Sequence, residues 1–294
     1  MAKSFEDRDG WIWMNGNFIP WKNATSHIVS QGLHYASAVF EGERAYNGKI
    51  FKSDEHTKRF FKSAEIIGME IPFTHDQINK AKYELIDKMN YKNCYVRPLA
   101  WRGGDQMGLS TGKSNINVAI AVWDDWATYF KIEDQKAGLR LITSPWKRPA
   151  PDTVPYQAKA SGPYIICTLS KEFAEKKGYH DALMLDYRGY VAEGTGANIF
   201  FIKDNNIHTP IPDCFLNGIT RQTVIEMATN QGFKITEKHL MPDEIGNYDE
   251  AFLTGTAAEI TPIKSIDGFK YNTGDNTTTF KFMNDFSDMV KNAS

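Results

Sequence analysis

Three two-residue turn signals restrict the architectures open to this chain more than any other feature. Asn15-Gly16, Asn47-Gly48 and Asp267-Gly268 interrupt strand-like stretches. Such pairs accept the positive φ angles of a type I′ turn, which joins two neighbouring antiparallel strands. Residues 11–20, Trp-Ile-Trp-Met-Asn-Gly-Asn-Phe-Ile-Pro, therefore predict a hairpin. Further strands are expected at 94–102, 116–123, 139–143, 182–186, 198–202, 207–209, 233–236 and 251–254. The apolar run 116–123 reads as fully buried, and Pro98 suggests an edge strand or a bulge.

Helices interrupt these strands without regular alternation. One follows Ser53, a candidate cap, and stops at Gly68. The next starts at Thr74, with Gln77 completing a capping box and Ile78, Ala81, Leu85 and Met89 forming an apolar stripe. Others are expected at 164–177 before Gly178, at 220–230 before Gly232, and at the C-terminus around Phe282, Phe286, Met289 and Val290. Short strands with interspersed helices imply an α+β fold. At 294 residues the chain can hold two domains. The polar stretch 126–138 reads as a linker between a smaller domain at 1–125 and a larger one at 139–294.

Composition excludes several function classes. The net charge of −2 gives no basic excess for nucleic acid and no polybasic membrane patch. The charged N-terminus lacks an apolar signal core, and the run 116–123 is too short to span a bilayer. Cys94, Cys167 and Cys214 are widely spaced, as expected of free thiols in a reducing, cytoplasmic compartment. The seven histidines show no metal-binding spacing, so no metal is expected. Gly108-Leu-Ser-Thr-Gly112 matches a hydrolase elbow, but a strand is expected after it where the motif needs a helix. Gly112-Lys113-Ser114 lacks the first glycine of a phosphate loop, and Gly194-Thr-Gly196 lacks the third glycine of a dinucleotide site.

Chemistry concentrates elsewhere. Lys159 lies in Pro-Tyr-Gln-Ala-Lys-Ala-Ser-Gly-Pro-Tyr (155–164), without a charged neighbour for several residues on either side. A lysine is ordinarily a solvated surface charge. Small, stiff, uncharged surroundings instead suit an amine that must lose its proton and attack a carbonyl. Glu193 stands in a glycine-containing turn before an apolar strand. Residues 216–221, Leu-Asn-Gly-Ile-Thr-Arg, open a helix whose free amides and Thr220 hydroxyl suit a phosphate, although Asn217 could simply cap it. Residues 254–262, Thr-Gly-Thr-Ala-Ala-Glu-Ile-Thr-Pro, form a second possible anion nest.

A lysine, a glutamate and two phosphate-cradling turns match the needs of pyridoxal phosphate. The chain resembles the class IV (fold type IV) aminotransferases, and most closely the branched-chain-amino-acid aminotransferases. The resemblance is carried, in order, by LHYASAVFEG (33–42), HTKRF (56–60), YVRP (95–98), AKASGPY (158–164), EGTGANIF (193–200), LNGITR (216–221) and GTAAEITP (255–262). It implies two α+β domains of the D-amino-acid-aminotransferase type, an active site between them, and a homodimer or larger assembly of dimers. It implies pyridoxal 5′-phosphate as cofactor, held by Lys159 as a Schiff base, by Tyr164 at the ring phenolate and by Glu193 at the ring nitrogen. Arg59 would bind the phosphate, joined by Leu216, Gly218, Ile219, Thr220, Gly255 and Thr256. Tyr35, Phe40, Tyr95, Arg97, Trp126, Tyr129, Thr256, Ala257 and Ala258 would line the substrate pocket. The implied reaction moves the amino group of leucine, isoleucine or valine to 2-oxoglutarate by a ping-pong cycle. D-amino-acid aminotransferases and aminodeoxychorismate lyases share the fold and cofactor and are the alternatives.

Overall fold

The computed structural model describes residues 4–112, 114–124 and 137–292. These fall into two compact units. The first holds the described residues up to 124 together with Ala158–Gly162, and the second holds 137–157 and Pro163–Asn292. A short piece of the C-terminal half, carrying Lys159, thus clusters with the N-terminal unit. Most of the expected 126–138 linker lies outside the described residues.

Among the described residues the first unit is a seven-stranded sheet with two long helices and the one-turn helix Gln31–His34. Trp11–Met14 and Asn17–Pro20 form the first hairpin, with Asn15 at φ 49° and Gly16 at φ 90°. Asn47 and Gly48 repeat this geometry between Glu43–Tyr46 and Lys49–Ile50, because only residues tolerant of positive φ close so short a loop. Trp11–Met14 pairs with Ile116–Trp123, which pairs along its length with Cys94–Arg102. Cys94–Arg102 takes both Ala38–Phe40 and Glu43–Tyr46 on its other side.

Pro98 is therefore in an interior strand, not at an edge. It is tolerated because it faces the break between Ala38–Phe40 and Glu43–Tyr46. Its carbonyl accepts from the Glu41 N–H at 2.9 Å, and a strand residue's N and C=O point to the same side. The missing N–H thus costs no ladder bond. Ile116–Trp123 is also less buried than its composition suggests. Val118, Ile120 and Val122 are inaccessible, while the residues between them are partly exposed.

The helix Ser53–Ile66 begins one residue earlier than a Ser53 cap requires. Lys52, in the left-handed region at φ 51°, takes the cap position. Gly68, at φ 68°, follows its C-terminus. His75–Met89 carries the complete Thr74/Gln77 capping box. Phe60 and Ala64 from one helix and Ile78, Ala81 and Leu85 from the other meet Val96, Val118 and Ile120 of the sheet in one core.

The second unit is built on a nine-stranded sheet. Successive pairings run through Val191–Glu193, Asp181–Leu185, Leu139–Thr143, Glu259–Ile266, Glu250–Gly255 and Asn198–Lys203. Glu193 pairs back to Asn198, so these strands close into a ring whose seam is at Glu193. Helices Tyr164–Lys176, Ile219–Asn230 and Thr278–Asn292 belong to this unit. Asp267 and Gly268 turn its last hairpin at φ 49° and 101°. Among the described residues no helix is long and apolar enough to cross a membrane.

Phe60 is fully buried, so Phe60→Ala is expected to destabilise the first unit by about 3–5 kcal/mol. Loss of the cap in Thr74→Ala is expected to cost about 1 kcal/mol. Urea denaturation of both variants checks this order.

Candidate active site

In the first unit Lys159 is fixed by its backbone. Its N–H donates to the hydroxyl of fully buried Ser63 at 2.9 Å. Its carbonyl accepts from Phe40 N–H at 3.0 Å, and Ser161 N–H donates to Ala38 O at 2.9 Å. Ala160 makes an antiparallel bridge to Val39. The segment thus behaves as a short added strand on Ala38–Phe40. The residue remains partly exposed, but its amine is desolvated, which lowers its pKa from the ordinary lysine value to about 8. Repulsion from Arg59 and Arg97 acts in the same direction, while Glu41 and Tyr95 oppose it. The sequence around Lys159 has no charge, but three distant segments bring charges to it.

Arg59 projects from the helix Ser53–Ile66 onto a fully buried glutamate. Its Nε and Nη2 donate to the two oxygens of Glu41 at 2.6 and 2.8 Å. His56, three residues earlier, places Nδ1 at 2.7 Å from Glu41 Oε2. Burial would raise the Glu41 pKa, but the guanidinium and imidazole hold it well below the usual carboxylate range. Two residues on, Glu43 meets Lys82 Nζ at 2.8 Å, both fully buried, and Lys82 also donates to the Thr57 hydroxyl at 2.8 Å. Burial pushes the Glu43 carboxyl up, and Lys82 opposes that shift.

Phe40, Tyr95 and Arg97 gather beside Lys159. The Phe40 ring has Lys159 Nζ at 5.0 Å and the Arg97 guanidinium carbon at 4.9 Å from its centre. Arg97 Nη2 donates to the Tyr95 hydroxyl at 3.1 Å, and Tyr95 stacks on Trp123. Alternation along Cys94–Arg102 puts Tyr95 and Arg97 on one face. Buried Arg97 Nε has no hydrogen-bond partner among the described residues. Gly42 makes room for Tyr95, since a β-carbon there would lie 2.0 Å from the hydroxyl oxygen.

In the second unit Glu193 ends its strand at the ring seam. Arg148 Nε lies 3.3 Å from Glu193 Oε1 and Asn198 Nδ2 is 3.3 Å from Oε2. Buried Arg148 also donates to Cys167 Sγ at 3.3 Å; burial opposes its charge, but Glu193, Cys167 and Tyr164 together raise its pKa. Asn198 Nδ2 donates to Leu216 O at 3.0 Å and its Oδ1 accepts from Gly218 N–H at 3.1 Å. One asparagine thereby fixes both the glutamate and the turn that opens Ile219–Asn230. Gly218, not Asn217, is the N-cap, and no side chain caps this helix. A β-carbon on Gly218 would sit 2.4 Å from Asn198 Oδ1. Ile219 and Thr220 are buried in the first turn. Gly255 ends its strand, Thr256, Ala257 and Ala258 form the turn, and Glu259 resumes at φ 50°.

Tyr164 is the first residue of its helix and partly buried. Tyr35 is 45% exposed, after the short helix Gln31–His34. Trp126 and Tyr129 lie outside the described residues. The grouping of Asp186, Asp213 and Cys214 has a metal-like donor set, but Arg188 bonds both aspartates at 2.7 and 2.9 Å. Sequence reasoning missed Glu41, His56, Ser63, Arg148 and Asn198 as parts of these clusters. Only Asn198 carried a local signal, as a residue disfavoured in strands at the start of a buried one.

Residues 38–266 match the family model described as Amino-transferase class IV. A Rickettsia bellii protein named "Probable branched-chain-amino-acid aminotransferase" is 45% identical over 91% of each chain. The Pseudomonas aeruginosa protein named branched-chain-amino-acid aminotransferase is 42% identical, over 92% of this chain and 89% of that one. The solved branched-chain amino acid aminotransferase from Thermobaculum terrenum, in its PLP-bound holo form, superposes with a TM-score of 0.87 at 31% identity. The match covers 97% of this chain and 95% of that one.

The Lys159 amine has a measurable signature. In cofactor-free protein its modification by an amine reagent, followed by peptide mass spectrometry, should rise with a midpoint near pH 8. An ordinary lysine titrates near about 10.4, and that midpoint at Lys159 would contradict the desolvated setting.

Proposed function

This chain belongs to the class IV aminotransferase family, and from that premise we propose that it transfers the amino group of leucine, isoleucine or valine to 2-oxoglutarate. The cofactor is pyridoxal 5′-phosphate. The observation that carries the reading is the Lys159 amine, fixed by its backbone and lowered to about 8 within reach of two arginines. The donor set fits the group. It offers an amine whose pKa is lowered to about 8 and an uncapped helix N-terminus for an anion.

When bound, the cofactor supplies an electron sink for the charge left as the substrate α-carbon loses its proton, and it stores the amino group between half-reactions. Lys159 Nζ anchors it and then, as the neutral amine, moves that proton. Arg59 holds the phosphate through charge-assisted hydrogen bonds. The amides of Ile219 and Thr220 and the turn at Gly255 and Thr256 add dipoles, and Leu216 and Gly218 shape the approach. Glu193 keeps a proton on the ring nitrogen, since an adjacent carboxylate favours the cationic form. Tyr164 hydrogen-bonds the phenolate oxygen.

Phe40 offers apolar surface for a branched side chain, with Tyr35, Ala257 and Ala258. Trp126 and Tyr129 are kept in the same role from the sequence motif alone. Arg97 and Tyr95 meet the second carboxylate of glutamate or 2-oxoglutarate. The enzyme works as a cytoplasmic homodimer or an assembly of dimers.

A panel of amino acids with 2-oxoglutarate tests the reading. Turnover of L-leucine, L-isoleucine and L-valine is expected, and turnover of D-alanine alone would overturn it. Arg97→Ala should lower kcat/KM for glutamate on the order of tenfold to a hundredfold, by loss of a charge-assisted contact. Leucine should lose only a few-fold, and equal losses would remove the carboxylate role.

A further inference from the structure

Glu41 is buried completely, takes no part in the chemistry assigned above, and grips the one arginine assigned to the phosphate. We propose that Glu41 is a positioning residue for the cofactor phosphate, setting the plane of the Arg59 guanidinium through its two-point contact with Nε and Nη2. This deepens the reading above and rests on it.

An arginine side chain has several freely rotating bonds, and a single contact leaves its guanidinium free to roll. A carboxylate that accepts from Nε and Nη2 together removes that freedom and fixes the direction of the remaining donors. Glu41 is itself held from three sides. Its N–H donates to Pro98 O at 2.9 Å, so its backbone is pinned at the break in the sheet. Its Oε2 takes His56 Nδ1 at 2.7 Å and the Gly42 N–H at 3.3 Å. His56 and Arg59 lie three residues apart on one helix face. One carboxylate therefore ties that face to the strand break.

A role confined to stability is the weaker account. Burying an ion pair takes both charges out of water, and packed apolar residues often serve as well.

The test uses full-length protein stripped of cofactor, titrated with pyridoxal 5′-phosphate and with pyridoxal. The ratio of the two affinities measures how strongly the phosphate is held. Glu41→Gln keeps the shape and removes the charge. It should lower that ratio on the order of tenfold and leave pyridoxal binding within about twofold. In an Arg59→Ala background the same change should alter the ratio by less than about twofold, because both act through one contact. Glu41→Asp, one methylene shorter and so drawn back from both nitrogens by its pinned backbone, should lower the ratio by roughly threefold, and it decides the matter if Glu41→Gln does not fold. An unchanged ratio in a folded Glu41 variant, or an equal loss with and without Arg59, overturns the proposal. A wild-type ratio near one instead refutes the phosphate reading itself.

Discussion

The site depends on the backbone pairing of 159–161 with Ala38–Phe40. A lysine side chain is long and loses much entropy when ordered, so its amine can be placed only if its main chain is already fixed. Phe40 N–H to Lys159 O, Ser161 N–H to Ala38 O and Lys159 N–H to Ser63 Oγ do this. The same pairing explains why Ala158–Gly162 clusters with the first unit although it lies in the second half of the chain. It also explains the small residues there. Ala158 and Ala160 pack into that unit's core, where larger side chains would collide.

Each unit answers the same electrostatic problem in its own way. A charged group that must act in desolvated surroundings needs a partner that keeps it charged and aimed. Arg59 has Glu41, which in turn has His56. Glu193 has Arg148 and Asn198. In each cluster the carboxylate sits where strand pairing breaks or closes. Glu41 lies at the gap opposite Pro98, and Glu193 at the seam of the ring.

Much of the fold was legible because its signals are local. The hairpin turns need positive φ and use Asn-Gly and Asp-Gly to obtain it. The Thr74/Gln77 box and the glycines after the helices are equally local. Misreadings arose where tertiary context decides. Pro98 suggested an edge because the break in its partner strands is invisible in sequence. Ser53 and Asn217 looked like caps, but Lys52 in the left-handed region and Gly218 take those positions. The desolvated setting of Lys159 was legible from its uncharged neighbours. The groups around it and around Glu193 were not, because Glu41, Ser63 and Arg148 act on partners many residues away in the chain.

The central claim is that Lys159, among all the lysines, carries the cofactor. Purified protein loaded with pyridoxal 5′-phosphate, reduced with borohydride, digested and mapped by mass spectrometry tests it directly. The account predicts the cofactor-derived mass on the peptide containing Lys159. The same mass on a peptide without Lys159 would contradict it.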